Sequence, residues 1–161
     1  MKPAPPVLAA RLLACVALLA VAGTLAACGP AGPSGPASFE IGTGSGSFAA
    51  VTEGQTVPIA QGAQGGIHVW LAGRVTGMAD PVDVKAGLRD ADTGESLSYL
   101  DLEWVLHTHQ DGDAQAFAGL TDRFVDDDPS RYVGRTVVLW ATVSSGGTTL
   151  HDERTITLAA P

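Results

Sequence analysis

Two histidines one residue apart, His107 and His109, are the first feature with chemical meaning. Extended backbone alternates side-chain faces, so both imidazoles point the same way, opposite the apolar row ending at Leu106 and on the side of Glu103. Such a pair suits a borderline cation such as Zn²⁺ or Cu²⁺, whose site needs three or four convergent donors. His68 and His151 complete a site only if the fold brings them within a few ångströms. Otherwise the pair is two solvated rings running into the Asp111-Gly112 turn.

Carboxylates come next. Asp90-Ala-Asp92-Thr-Gly94-Glu95 and His109-Gln-Asp111-Gly-Asp113 resemble fragments of calcium loops, in which alternating oxygens surround a Gly turn. Both lack the complete loop pattern, and Asx residues in β-turns produce the same short strings. The run Asp126–Asp128 reads as a solvated acidic corner. Trp70 and Trp140 stand on the opposite parity from the most apolar rows of their segments. If those rows form the core, the indoles face outward, Trp70 beside His68, and Trp70, His68 and Trp140 are candidates for glycan or protein contact. The alternative is cover from a neighbouring loop or from the N-terminal strand. No G-x-S-x-G, H-E-x-x-H or S-x-x-K string occurs, and Gly42-Thr-Gly-Ser-Gly46 is followed by neither Lys nor a helix pattern. Neither an enzyme nor a bound cofactor is expected.

The elements that would position these residues read as strands. Val82–Arg89 alternates Val82, Val84, Ala86 and Leu88 against Asp83, Lys85 and Arg89, and Leu100–Leu106 repeats the pattern with Leu100, Leu102, Trp104 and Leu106. Ile67–Thr76 and Thr136–Ser144 are longer and richer in β-branched residues, as central strands are. Strands are predicted near 39–43, 47–51, 56–60, 67–76, 82–90, 97–106, 114–121, 135–144 and 148–159. Turns are expected at Glu53-Gly54, Gly65-Gly66, Asp92-Thr93-Gly94, Asp111-Gly112 and Gly146-Gly147. Phe117, Leu120 and Phe124 recur at i, i+3 and i+7, which leaves a short helix open there. Eight or nine strands in about 120 residues mean an all-β sandwich or barrel.

The corner Asp126-Asp-Asp-Pro-Ser-Arg-Tyr132 precedes the strongest strand and resembles the tyrosine corner of immunoglobulin-like domains. That resemblance favours an antiparallel Ig-like or fibronectin-III-like sandwich over residues 39–161. The Cys pair and stacked Trp of antibody domains are missing.

The N-terminus carries Lys2 and Arg11 ahead of the uncharged apolar run Leu12–Leu25, then Ala26-Ala27-Cys28. Fourteen helical residues span roughly 21 Å, short of a ~30 Å bilayer core, so residues 1–27 read as a signal peptide. Leu25-Ala26-Ala27-Cys28 resembles the lipobox of bacterial lipoproteins. The resemblance implies cleavage before Cys28, diacylglycerol and acyl modification of that residue, and anchorage to the bilayer. Gly29 rather than Asp after the Cys leans, by the same resemblance, toward the outer membrane of a Gram-negative envelope. Residues 28–38 then form a Gly/Pro/Ser tether spanning roughly 17 Å as coil or about 31 Å as polyproline II. With Cys15 removed and Cys28 acylated, the fold has no disulfide and rests on its apolar core.

Nine basic and 17 acidic residues give a net charge of −8; cleavage removes Lys2 and Arg11, leaving seven basic residues and −10. That charge repels phosphate backbones and anionic lipid, so nucleic acid is not an expected partner. The sequence therefore describes a membrane-anchored cell-envelope lipoprotein with a binding or structural β-sandwich that recognises an envelope protein or glycan. Its rivals are a metal-binding lipoprotein using His107 and His109, and a cryptic hydrolase.

Overall fold

The computed structural model describes residues 35–99 and 102–161. The signal-like segment, Cys28 and the tether up to Ser34 lie outside the described residues, as do Leu100 and Asp101. Two sheets face one another. One contains β1 (Ser38–Thr43), β2 (Ala49–Ala50), β4 (Ala60–Gln61), β5 (Ile67–Thr76), β8 (His109–Asp111) and β9 (Ala114–Arg123), in the order β2-β1-β5-β9-β8 with β4 also on β5. The other runs β3-β11-β10-β6-β7, from β3 (Thr56–Pro58), β6 (Val82–Asp90), β7 (Leu102–Leu106), β10 (Thr136–Ser145) and β11 (Thr148–Ala159). Between these strands all pairings are antiparallel except β3 with β11. The fold is the expected Ig-like β-sandwich, with β5 and β10 central in their sheets.

Alternation places the core. Val69, Leu71 and Val75 of β5, Val84 and Leu88 of β6, and Leu139 and Val143 of β10 are all fully buried between the sheets. Each such side chain contributes about 1.5–3 kcal/mol through the apolar area it removes from water. Phe124 packs against Tyr132 with ring centroids 4.3 Å apart. The Tyr132 hydroxyl accepts the backbone N–H of Asp126 at 3.2 Å, which is the corner the sequence suggested. The Gly146-Gly147 turn, both residues at positive φ, closes the β10–β11 hairpin.

Three expectations change. The helix left open over 113–124 is strand β9. Its i, i+3 spacing comes from a bulge, because Leu71 pairs with Leu120 while Gly73 pairs with Phe117, so β9 holds one residue more than β5. Gly119, at φ 78°, absorbs the extra residue and lets Phe117 and Leu120 both face the core. The strand predicted at 56–60 divides at Ile59: β3 joins β11 in one sheet and β4 joins β5 in the other. The strand predicted at 97–106 is regular only from Leu102. Upstream, Ser98 crosses between sheets, its hydroxyl accepting the Leu88 N–H at 2.7 Å and donating to the buried carboxylate of Asp122 at 2.8 Å. At the entry to the sandwich β1 begins at Ser38, Ala37 packs against the core, and Thr76 Oγ1 donates to the Pro36 carbonyl.

Two stability measurements check this packing. Tyr132→Phe removes the acceptor for Asp126 N–H, and equilibrium unfolding should show a loss of about 1 kcal/mol. At Gly73 a β-carbon would stand 2.3 Å from the Phe117 ring and 2.7 Å from the Phe39 ring. Gly73→Ala should therefore cost about 1–3 kcal/mol through overpacking, whereas wild-type stability would mean that the rings do not close over this position.

Candidate functional site

The candidate binding residues divide between opposite outer faces. On β5, His68 and Trp70 are adjacent outward positions, their rings in edge contact with centroids 4.6 Å apart. Trp140 lies on the outer face of the other sheet, over Gly87 and stacked with His151 at 6.4 Å. Both indoles are half-buried. On the same sheet Phe48 lies over Gly42 and Arg74, and Gly119 N–H donates to the Gly44 carbonyl at 2.9 Å.

His68 borders a cavity of about 440 Å³, lined further by Gly62, Ala63, Gln64 and Gly66 of the β4–β5 hairpin and by Thr121 and Arg123 of β9. The register brings these elements together: Ala60 and Arg123 flank His68 on either side, and Thr121 stands opposite Trp70. The hairpin is folded back by Gly62 N–H to the Gly66 carbonyl at 2.7 Å and Gly65 N–H to the Gly62 carbonyl at 2.9 Å. Gly66 comes so close to Arg123 that a β-carbon there would sit 2.9 Å from Nε. The guanidinium is held in place by two bonds to Asp127, at 3.3 and 2.8 Å, and lies over the Tyr99 ring. Asp127 in turn raises the Arg123 pKa.

His68 is only 7% exposed, and burial lowers its pKa, so the ring is neutral near pH 7. Its Nε2 is buried without a hydrogen-bond partner among the described residues, and Cε1 and Nδ1 are the ring atoms nearest Gly62. Periodicity predicted the His68–Trp70 pair, but Gln64, Thr121 and Arg123 were missed. The hairpin read as no more than a turn, and the β5–β9 register leaves no trace in either strand alone.

The metal constellation is not assembled. The chain leaves β7 at Leu106 and enters the other sheet at His109, so His107 and His109 do not share a strand face. His107 Nδ1 donates to Asp80 Oδ2 at 2.7 Å, and the other Asp80 oxygen accepts Thr108 N–H at 2.7 Å. His109 is paired opposite Ala116 at an exposed edge. Among the described residues no three His, Cys, Asp or Glu side chains converge to hold a cation.

The calcium-like strings are local caps. Asp90 Oδ1 accepts Asp92 N–H, Thr93 N–H and the Thr93 hydroxyl, and Oδ2 accepts from Arg135. The Thr93 N–H bond leads in holding the Asp90 carboxyl at a pKa of about 2. Asp111 pairs with Arg74 at 3.0 Å. In the acidic corner, Asp126 accepts Asp128 N–H and Asp128 caps the 3-10 turn Pro129–Arg131.

A row with the polarity of a hydrolytic triad does exist: Thr142 Oγ1 lies 3.0 Å from His151 Nδ1, and His151 Nε2 lies 3.3 Å from Glu153. It stands on a continuous β10–β11 ladder, where the nearby N–H groups serve strand pairing rather than an oxyanion. Glu153 is also taken by Arg89.

No protein-family model and no curated protein matches the chain. Among solved structures it is similar to the CooA pilin subunit from enterotoxigenic Escherichia coli, with 11% identity and a TM-score of 0.37, over 76% of this chain and 98% of that one.

The His107 loop carries a pH prediction. The bond from His107, followed by that from Thr108 N–H, pulls the Asp80 carboxyl from its ordinary 3.8 down to about 2. A folded-state pKa below the unfolded one gives stability that is present above about pH 4 and lost as pH falls toward 2. Thermal melts across that range should show a shallower acid decline for Asp80→Asn. An unchanged profile would mean that Asp80 does not pin the loop.

Proposed function

We propose that this chain is a lipid-anchored cell-envelope binding module. The anchor rests on the lipobox-like tetrad Leu25-Ala26-Ala27-Cys28 and on the Gly/Pro/Ser stretch after it. With a diacylglycerol and a further acyl chain on Cys28, each buried CH₂ contributes about 0.8 kcal/mol and attachment is effectively permanent.

The observation that carries the binding half is the polarity of β5. Ser38, where the chain enters the sandwich, pairs with Thr76 at one end of β5, and the cavity borders His68 near the other. Eight residues at about 3.3 Å each separate them by roughly 26 Å. The Gly62–His68 cavity therefore lies toward the end of β5 opposite the point where the tether joins the sandwich. A leash of this length keeps such a site within a few nanometres of the bilayer, where envelope proteins and glycans are its partners. The outer membrane of a Gram-negative envelope is the location this reading favours.

Cell fractionation tests the anchor. The unaltered protein should partition with membranes and be extracted only by detergent, and Cys28→Ala should move it to the soluble fraction or stall it with its signal segment attached. Membrane retention of a processed Cys28→Ala protein would rule out lipid anchoring through this residue.

A further inference from the structure

We infer that the cavity beside His68 takes a neutral saccharide, an assignment that rests on the binding-module reading above and specifies its ligand. Charge decides the class. An anion would approach a chain of net charge −8, and the Arg123 guanidinium that would meet it is already paired with Asp127. A cation would find no carboxylate among the residues that line the cavity. Neither charge sign finds an unpaired counterpart.

The lining suits hydroxyl groups instead. Thr121 and Gln64 each donate and accept, as a sugar hydroxyl does, and both are exposed at the cavity. Arg123 keeps N–H donors beyond the two bonded to Asp127, and its fork is fixed against Tyr99 and Asp127 rather than free to swing. Paired, pre-oriented donors and acceptors of this kind match vicinal hydroxyls. The glycine hairpin allows backbone to approach the ligand where side chains would block it: a β-carbon on Gly66 points toward Arg123, and one on Gly62 would reach to 3.9 Å from the His68 ring. Neutral His68, with its buried Nε2, forms the wall between them. The volume of about 440 Å³ accommodates one or two sugar rings.

The test is amide NMR on the full-length protein in detergent micelles, titrated with maltose, cellobiose and N,N′-diacetylchitobiose. Chitobiose serves as the cationic counterpart of the last, and digalacturonate as the anionic probe. At least one neutral disaccharide should give saturable shifts confined to Gly62–His68 and Thr121–Arg123. Thr121→Val with Gln64→Leu should weaken binding about tenfold or more, since two hydroxyl partners are lost while core amide positions stay unchanged. Gly66→Ala, which crowds the cavity from its backbone side, should weaken it independently. Saturable binding of a charged probe in the absence of neutral binding would overturn the saccharide class while leaving a binding module in place. If every probe leaves the hairpin amides unmoved, the proposal fails, and the anchor remains tested separately by the fractionation of Cys28→Ala.

Discussion

The apolar contact between two sheets that no covalent cross-link joins is the constraint on which the rest depends. Both cysteines of the chain precede residue 29, so among the described residues the sheets are held by inward rows such as Val69–Leu71, Val84–Leu88 and Leu139–Val143. This contact is close-packed, and its weak places are filled by specific means. Gly73 gives up its side chain so that Phe117 and Phe39 can stack above it, and Phe124 closes the far end against Tyr132. The cavity inherits its rigidity from this arrangement, because His68 and Arg123 sit on outward positions of two strands whose inward neighbours, Ile67, Val69 and Phe124, are fully buried.

Polar groups close the margins where alternation runs out. Ser98 links Leu88 N–H in one sheet to Asp122 in the other, and Asp152 of β11 accepts the Ile41 N–H of β1 at 2.9 Å. Each uses a side chain to satisfy a backbone or carboxylate group that would otherwise be buried at a cost. Both lie between strands of different sheets, and so they do for the edges what a disulfide does for the centre of many secreted sandwiches.

These margins also divide what the sequence reveals from what it conceals. Period-2 alternation identified β5 and β6 to the residue, and glycine pairs marked the turns, because both signals are local. The Tyr132 corner was legible for the same reason, as its partner Asp126 is six residues away in the same corner. The bulge at Gly119 was not legible. It shifts parity within one strand, and that shift imitates helical spacing until the partner register is known. The division at Ile59 and the crossing at Ser98 share this character, since a strand that changes sheets keeps its alternation. The same limit governs the site: His68 and Trp70 follow from one strand, whereas Thr121, Arg123 and Gln64 belong to it only through pairings between distant segments. His107 and His109 show the opposite error, in which a local pattern suggested a shared face that the passage from β7 to the other sheet removes.

The proposed role joins a lipid anchor at Cys28 to a sandwich that is entered at Ser38 and carries its cavity beside His68, near the other end of β5. That account stands on the chemistry of one residue, Cys28, as the point of attachment. Mass spectrometry of the N-terminal peptide of the mature protein, isolated from membranes, measures it directly. The account predicts a chain that begins at Cys28 and carries a thioether-linked diacylglycerol, with a further acyl chain on glycerol or amine. A mature protein that begins elsewhere, or that carries an unmodified Cys28 thiol, would contradict it.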